Sequence, residues 1–389
     1  MGVAFQEFRG GISATGQELL ARIESLLPQL RARASEEEAQ RRLSDATIAD
    51  LRDCGFIRMH VPKSFGGSNL GLAEHFEAAR LLARGAASTA WVGSFLAQGA
   101  IYVRKFAPEV QARVFSDPDY NGTCGSNQAH PGSMAVPVDG GYLLSGRWGF
   151  TSGIQHATWT TLSVGIETPP GAPPARLFCL VPVTDVEICD VWFTAGMRAT
   201  GSNDVVLKDY FVPHDYALTA EVFAGDQSPG ALAEPGNLLT RCPVYRIATI
   251  AHPAFALGAA ERAFEVFGNL IQKRQRYWGG GALIEAPTVH MLYALAVRDL
   301  RIARLLAEDM VSRTVAGLDT GYTMEDRAYL TLSSAACIDA AGKVVQELAR
   351  RSGGSMHFTG HELDRVLRDM SVILNHSTSD LDYAAESVG

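Results

Sequence analysis

Two places in the chain carry residue types suited to chemistry on a flat, polar ligand. The first is the run Leu143 to Trp159, which reads Leu-Leu-Ser-Gly-Arg-Trp-Gly-Phe-Thr-Ser-Gly-Ile-Gln-His-Ala-Thr-Trp. It leaves a tight Asp139-Gly140-Gly141 turn and alternates apolar and small residues, as a strand half-buried against a ligand does. The alternation breaks at Thr151, Ser152 and Gly153, where two hydroxyls beside a residue without a side chain let backbone approach a planar ring. Ser152 is the hydroxyl expected at such a ring. Thr151 alternates to the other face, and Trp148 and Phe150 are either ring neighbours or core aromatics. A polar strand end whose hydroxyls satisfy nearby backbone is the plain alternative. The second place is His376, in Leu374-Asn-His-Ser-Thr378. An imidazole titrating near neutrality suits taking the proton of an acidic group or orienting an oxygen atom. It lies one turn from Ile373 at the edge of an apolar face, so a core histidine bonded to a carbonyl is the competing reading.

Composition narrows what those residues can serve. A chain of 389 residues is long enough for two or three cores, and 47% hydrophobic with 20% charged residues is ordinary for a globular protein. The net charge of -8 argues against nucleic acid or an anionic membrane as the main partner. Six scattered cysteines without a Cys-x-x-Cys pair read as reduced thiols of a cytoplasmic enzyme, not as a disulfide frame or zinc site. The start lacks a basic and apolar leader, and no apolar run reaches membrane-spanning length. There is no Gly-x-Gly-x-x-Gly after a strand, no Gly-Lys-Ser/Thr loop, no Gly-x-Ser-x-Gly elbow and no His-Glu-x-x-His. Gly279-Gly280-Gly281 reads as a flexible connector, and none of the ten histidines has metal-ligand spacing. What remains is a redox cofactor held by a β-region between helical regions.

The elements that must position these residues fall into three zones: helical over 1–118, β over 119–225 and helical again over 226–389. Leu19, Leu20, Ile23, Leu26, Leu27 and Leu30 recur at helical spacing, with Pro28 expected to kink or end that helix. Ser44 is an N-cap for the segment closing at Cys54-Gly55, Val61 to Gly67 is a loop, and Leu72 to Ala83 is helical. Short Val-, Thr-, Phe- and Trp-rich runs at 134–138, 142–150, 158–164, 176–181 and 205–212 predict an antiparallel barrel or sandwich. The turns at Pro169-Pro170-Gly171 and Pro173-Pro174 punctuate it. Four long helical stretches near 246–273, 287–316, 323–351 and 361–384 suit a four-helix bundle.

Four local patterns in this order make the chain resemble the acyl-CoA dehydrogenase superfamily over nearly its full length. The branch it is most similar to is that of two-component flavin-dependent monooxygenases, such as p-hydroxyphenylacetate hydroxylase oxygenase components. The patterns are Ser126-Asn127 with Pro131-Gly132-Ser133, then Gly146-Arg-Trp-Gly-Phe-Thr-Ser-Gly153 with His156-Ala157 and Trp159. They continue with Gly196-Met-Arg-Ala-Thr-Gly-Ser-Asn-Asp204 followed by Phe211-Val-Pro213, and end with Asp364-Arg-Val-Leu-Arg-Asp369 seven residues before His376.

The resemblance implies an α+β fold with an N-terminal helical domain, a middle β-domain and a C-terminal bundle. It also implies a reduced flavin, FMN or FAD, and O₂ reacting through a flavin C4a-hydroperoxide to hydroxylate an aromatic or natural-product substrate. Ser152 then meets flavin N5 or O4, Ser126 and Asn127 belong to the pyrimidine-binding loop, and Trp148, Phe150 and Thr151 lie along the ring. Arg274, with Gly353-Gly354, reaches the flavin phosphates of a neighbouring subunit, which makes the protein a dimer or tetramer. The visible nicotinamide motifs are lacking, so a separate NAD(P)H-flavin reductase supplies the cofactor. A dehydrogenase or oxidase of the same superfamily needs a carboxylate base where this chain has His376, although Asp380, Asp382 and Glu386 stand nearby as displaced candidates. One departure is that no histidine follows Ser88-Thr-Ala-Trp-Val92, where the region reads Phe95-Leu-Ala-Gln-Gly-Ala100. That shifts the expectation from a simple phenol toward a bulkier or less acidic substrate.

Overall fold

Ser13 starts the first helix by accepting the Gly16 amide on its hydroxyl, and Ser44 starts the second by accepting that of Thr47. The structure, a computed structural model, describes residues 11–167, 175–276, 278 and 280–386. The turns expected at Pro169-Pro170-Gly171 and Pro173-Pro174, and Gly279 of the connector, lie outside these residues. Helix α1 (Ala14–Gln40) continues through Pro28, against the expectation of a kink or stop. Buried Leu27 and Leu30 on either side supply packing that outweighs the one amide hydrogen bond proline removes. The N-terminal region is completed by α2 (Asp45–Asp53), α3 (Leu72–Gly85), α4 (Ala87–Val103) and α5 (Pro108–Phe115).

The middle region is one sheet of β1 (Thr123–Ser126), β2 (Gln128–Ala129), β3 (Met134–Val138), β4 (Gly141–Thr151), β5 (Trp159–Ile166), β6 (Arg176–Pro182), β7 (Glu187–Cys189), β8 (Asn203–Pro213) and β9 (Ala217–Thr219). Its order is β7-β8-β4-β3-β5-β6-β9, with β1 against β5 and β2 against β4. The expectation of antiparallel pairing needs one correction. β1 and β3 both run parallel to β5, because their connections cross the sheet instead of turning back in a hairpin.

Three short helices, α6 (Ala220–Ala224), α7 (Pro229–Ala233) and α8 (Leu238–Arg241), lead into α9 (Val244–Lys273), α10 (Pro287–Thr320), α11 (Met324–Arg350), α12 (Glu362–Leu374) and α13 (Leu381–Glu386). The fourth expected stretch, 361–384, is therefore two helices. The break falls at Asn375 and His376, where the His376 backbone is extended and its ring caps the turn that follows. Helix α9 is apolar nearly all round because α3, α4, α11 and α12 surround it. A buried ion network ties this layer together: Arg80 pairs with Glu77 (2.7 Å) and Glu261, and Arg304 reaches Glu77 at 3.3 Å. The terminal bundle thus shares its core with the N-terminal helices.

That core holds histidines that must stay uncharged. His60 and His75 stack with ring centroids 5.0 Å apart, and burial lowers His60 to about 4 and His75 well below its ordinary value. Unfolded histidines take up protons near pH 6.5, so acid favours the unfolded chain between 6.5 and 4 while stability above 6.5 is untouched. His60 alone accounts for roughly 3 kcal/mol over that interval. Buried Asp369, raised to about 6, opposes this but is outnumbered by His60, His75 and His252. The unfolding midpoint is expected to fall steadily from pH 6.5 to 4.5 by calorimetry; a midpoint constant over that range contradicts it.

Candidate active site

Strand β4 delivers Thr151 and Ser152 through a distortion. Its register against β8 slips between Trp148 and Thr151, and Phe150 adopts φ +58°, a left-handed conformation unusual for an aromatic residue. The bulge separates two aromatics that strict alternation would place on one face. Trp148 is fully buried and donates its Nε1–H to the Ser163 carbonyl at 2.8 Å, whereas Phe150 is 62% exposed and meets Trp192 edge-on. Trp148 is a core side chain here, with no face open to a ligand. Gly153 follows with φ +77°, which a side chain would resist, and its amide donates to Thr200 O at 3.1 Å. Ser152 is thereby turned toward α4 and the segment Gly196 to Ser202.

A hydrogen-bonded chain with a fixed direction runs through Ser152. Trp91 Nε1–H donates to Ser152 Oγ at 3.0 Å, and Thr200 Oγ1–H donates to Met197 O at 2.8 Å. Between these ends lie two contacts of 2.7 Å, Ser152 Oγ to Ser202 Oγ and Ser202 Oγ to Thr200 Oγ1. Each hydroxyl has one proton, so the only fully satisfied assignment is Ser152 donating to Ser202 and Ser202 donating to Thr200. Ser152 therefore offers a ligand one lone pair and no proton. Asp369 fastens the far end by accepting the Met197 amide at 2.6 Å.

Trp91 carries the line from the sheet to the terminal bundle. Its indole stacks on His252 of α9 at 4.8 Å and meets His376 edge-on at 5.4 Å, while Phe95 and Phe255 lie 5.4 and 5.1 Å away. The rings of His252 and His376 are 4.4 Å apart. His376 Nδ1 accepts the Thr378 amide at 3.3 Å and contacts Thr378 Oγ1 at 2.9 Å, and that hydroxyl reaches His252 Nδ1 at 2.6 Å. Burial lowers both imidazoles, so both are neutral at neutral pH. A neutral His376 that accepts an amide on Nδ1 keeps its proton on Nε2. It is a hydrogen-bond donor before it is a base.

Two buried polar atoms beside this line, Thr151 Oγ1 and His252 Nε2, have no partner among the described residues. Burying such atoms unpaired is costly. A flat ring with polar edges, seated against the Thr151–Ser152 edge of β4, fits this donor and acceptor set and its aromatic surroundings.

The other expected residues lie elsewhere. Ser126 is buried, donates to Gly149 O at 2.5 Å and accepts from the Gln128 amide, so its hydroxyl pins β1 to β4; Asn127 is exposed. Arg274, just beyond α9, donates to Ser352 O and Ser355 Oγ, and a Cβ on Gly353 would fall 2.8 Å from its Nη1. Arg274, Gly353 and Gly354 thus form one cluster. It sits about 33 Å along α9 from His252, at 1.5 Å per residue. Asp380, Asp382 and Glu386 are exposed, and Asp380 caps α13 through the Tyr383 amide. Sequence reasoning missed Trp91, His252, Thr378, Thr200 and Ser202 as site residues. Trp91, Thr200 and Ser202 stood inside recognised patterns without a role, and nothing in local spacing links His252 to Thr378.

Comparison with known proteins identifies the family. The family "Acyl-CoA dehydrogenase, N-terminal domain" matches residues 20–117, and "Acyl-CoA dehydrogenase, C-terminal domain" matches residues 250–380. A pigment production hydroxylase of Rhodococcus sp. (strain ATCC 21145) is 32% identical over 375 residues, 96% of each chain. The flavin-dependent monooxygenase oxygenase subunit HsaA of Rhodococcus jostii (strain RHA1) is 31% identical, covering 94% of this chain and 95% of its own. The crystal structure of the HsaA monooxygenase from M. tuberculosis superposes with a TM-score of 0.87 at 30% identity, covering 96% of both chains.

Proposed function

The chain belongs to the acyl-CoA dehydrogenase family, in its branch of flavin-dependent monooxygenase oxygenase components, and from that premise we propose how its own residues serve that activity. It is an enzyme that uses reduced flavin, and a separate reductase supplies that cofactor, in keeping with relatives named as oxygenase subunits. Bound reduced flavin supplies the two electrons that let O₂ give one oxygen atom to an aromatic substrate. The proposed roles divide along the two sides of Trp91. Ser152 accepts a hydrogen bond from the ring edge with its single free lone pair. His376 directs its Nε2–H at oxygen, and Trp91, Phe95 and Phe255 exclude water from the space between. Thr151 offers the ring a further buried hydroxyl. Ser126 supports this edge of the sheet by pinning β1 to β4, whereas Asn127 and Phe150 are exposed and stand apart from the cluster.

The observation that carries the reading is the convergence of Ser152, Trp91 and His376 in one buried cluster, from three separate parts of the chain. A hydride-moving dehydrogenase needs a carboxylate there, and the nearby acids Asp380, Asp382 and Glu386 are exposed. The substrate class we propose is a polycyclic or otherwise bulky aromatic, since no histidine follows Trp91 on α4, and the residue on the stripe that bears Trp91 and Phe95 is the buried, uncharged Gln98. Incubation with reduced flavin, ¹⁸O₂ and a panel of such aromatics should give a product heavier by one labelled oxygen. Reoxidation of flavin with every candidate and no label in any product contradicts the reading.

We further propose that the protein is a homo-oligomer, with Arg274 and Gly353-Gly354 of one subunit holding the flavin phosphates of another. Its distance from His252 along α9 supports service to a different subunit's ring. Arg274→Ala is expected to weaken flavin affinity about tenfold, the loss of one charge-assisted contact. Equilibrium titration reads this directly, and an unchanged dissociation constant removes Arg274 from the site. Location in the cytoplasm is also proposed, on the six unpaired cysteines. No helix among the described residues is long and apolar enough to cross a membrane. Neither nucleic acid nor membrane is proposed as a partner.

A further inference from the structure

We infer that His252 and Thr378 are positioning residues for His376, holding its ring in the single tautomer that carries the proton on Nε2. The inference rests on the proposal that His376 acts on oxygen. Three contacts decide it. The Thr378 amide donates to His376 Nδ1, so that nitrogen holds a lone pair. Thr378 Oγ1 lies closer, 2.9 Å from the same nitrogen, and donates its own proton there, sharing the one lone pair with the longer amide contact, because two lone pairs at that separation repel. With its proton spent, Thr378 Oγ1 can only accept from His252 Nδ1, 2.6 Å away. The direction is His252 Nδ1–H to Thr378 Oγ1–H to His376 Nδ1. The reverse direction would need a proton on His376 Nδ1 and would set it against the Thr378 amide.

His252 is built to hold this polarity. It is 2% exposed, and its ring is clamped by stacking on Trp91 and by edge contact with Phe255, 5.7 Å away. Its Nε2 is buried without a partner among the described residues, so a proton there would be unpaired; Nδ1–H is the tautomer whose proton is satisfied. Without Thr378 Oγ1–H, the remaining tie on His376 Nδ1 is one amide at 3.3 Å, long for a hydrogen bond. The opposite tautomer then becomes accessible and leaves Nε2 without a proton to direct.

The test uses full-length protein with ¹⁵N-labelled histidine, without added flavin, and assigns His376 by its loss in His376→Gln. Side-chain ¹⁵N spectra at pH 8 should show one His376 tautomer, protonated at Nε2. In Thr378→Val and His252→Phe, which keep volume and ring stacking, the two nitrogens should move toward the averaged shifts of a tautomer mixture. Thr378→Ser restores the hydroxyl, and in His252→Asn the amide nitrogen stands in for Nδ1, so both should recover the single tautomer. With reduced flavin and a substrate, product per flavin oxidised should fall at least fivefold in the first pair and recover in the second, with flavin affinity unaltered in Thr378→Val and Thr378→Ser. An unchanged His376 spectrum in both Thr378→Val and His252→Phe overturns the inference. So does an equal loss of coupling in His252→Asn and His252→Phe. The spectra decide even for a protein that hydroxylates nothing, so failure of the proposed oxygen chemistry is read separately.

Discussion

Replacing His376 with alanine is expected to lower the product formed per flavin oxidised at least about 100-fold, the lower end of what a positioned proton donor contributes. Flavin binding should stay within threefold of the wild type, because His376 meets Trp91 edge-on and makes no bond to Ser152, the residue proposed to hold the ring. The two readouts together separate this role from a structural one. His376 is half-buried at a helix break, and its Nδ1 serves only the short turn after α12, so its loss should not unfold the bundle. Oxygen consumption should continue and appear as hydrogen peroxide. His376→Gln, which can still donate, should recover part of the coupling. Equal coupling in wild type and His376→Ala would remove the imidazole from the reaction.

The second large effect concerns which redox state of the cofactor the protein prefers. Reduced flavin carries a proton on N5, and oxidised flavin presents a bare nitrogen there. Ser152 has spent its proton on Ser202, so it can accept from the first and has nothing to give the second. Ser152→Ala should weaken binding of reduced flavin about tenfold, near the net worth of one hydrogen bond, and affect oxidised flavin much less. Thr200→Val is the sharper test because it touches no ligand. Ser202 then lacks its acceptor and can turn its proton to Ser152, which frees the Ser152 proton for a bare N5. The affinity for oxidised flavin should rise several-fold and the preference for the reduced form shrink. Parallel anaerobic and aerobic titrations measure the ratio, and an unaltered ratio in both variants contradicts the assigned direction of the chain.

Much of the frame was legible because it rests on local signals. Ser44 as a cap, the Leu72 helix and the five expected strands follow from capping chemistry and period, and each appears where those signals stand. Proline at 28 misled because burial of Leu27 and Leu30, a tertiary effect, overrides a local rule. The split of 361–384 escaped because Asn375 and His376 break the helix through backbone torsions that apolar spacing does not encode. In the site, Ser152 and His376 stood out by residue type, and the structure puts both against Trp91. The polarity that gives them opposite hydrogen-bonding characters lay beyond the sequence. It depends on Thr200 and Ser202 for one and on His252 and Thr378 for the other, partners up to 126 positions apart. Phe150 and Trp148 show the same limit, since a bulge invisible to alternation sends one to solvent and the other to the core.

The most direct measurement is an anaerobic crystal structure with reduced flavin bound. The ring is expected against the Thr151–Ser152 edge of β4, with N5 within hydrogen-bond reach of Ser152 Oγ and His376 Nε2 on the oxygen-accepting side. The phosphate should lie beside Arg274 of a second subunit. A ring bound elsewhere, or His376 turned from it toward solvent, would contradict the account.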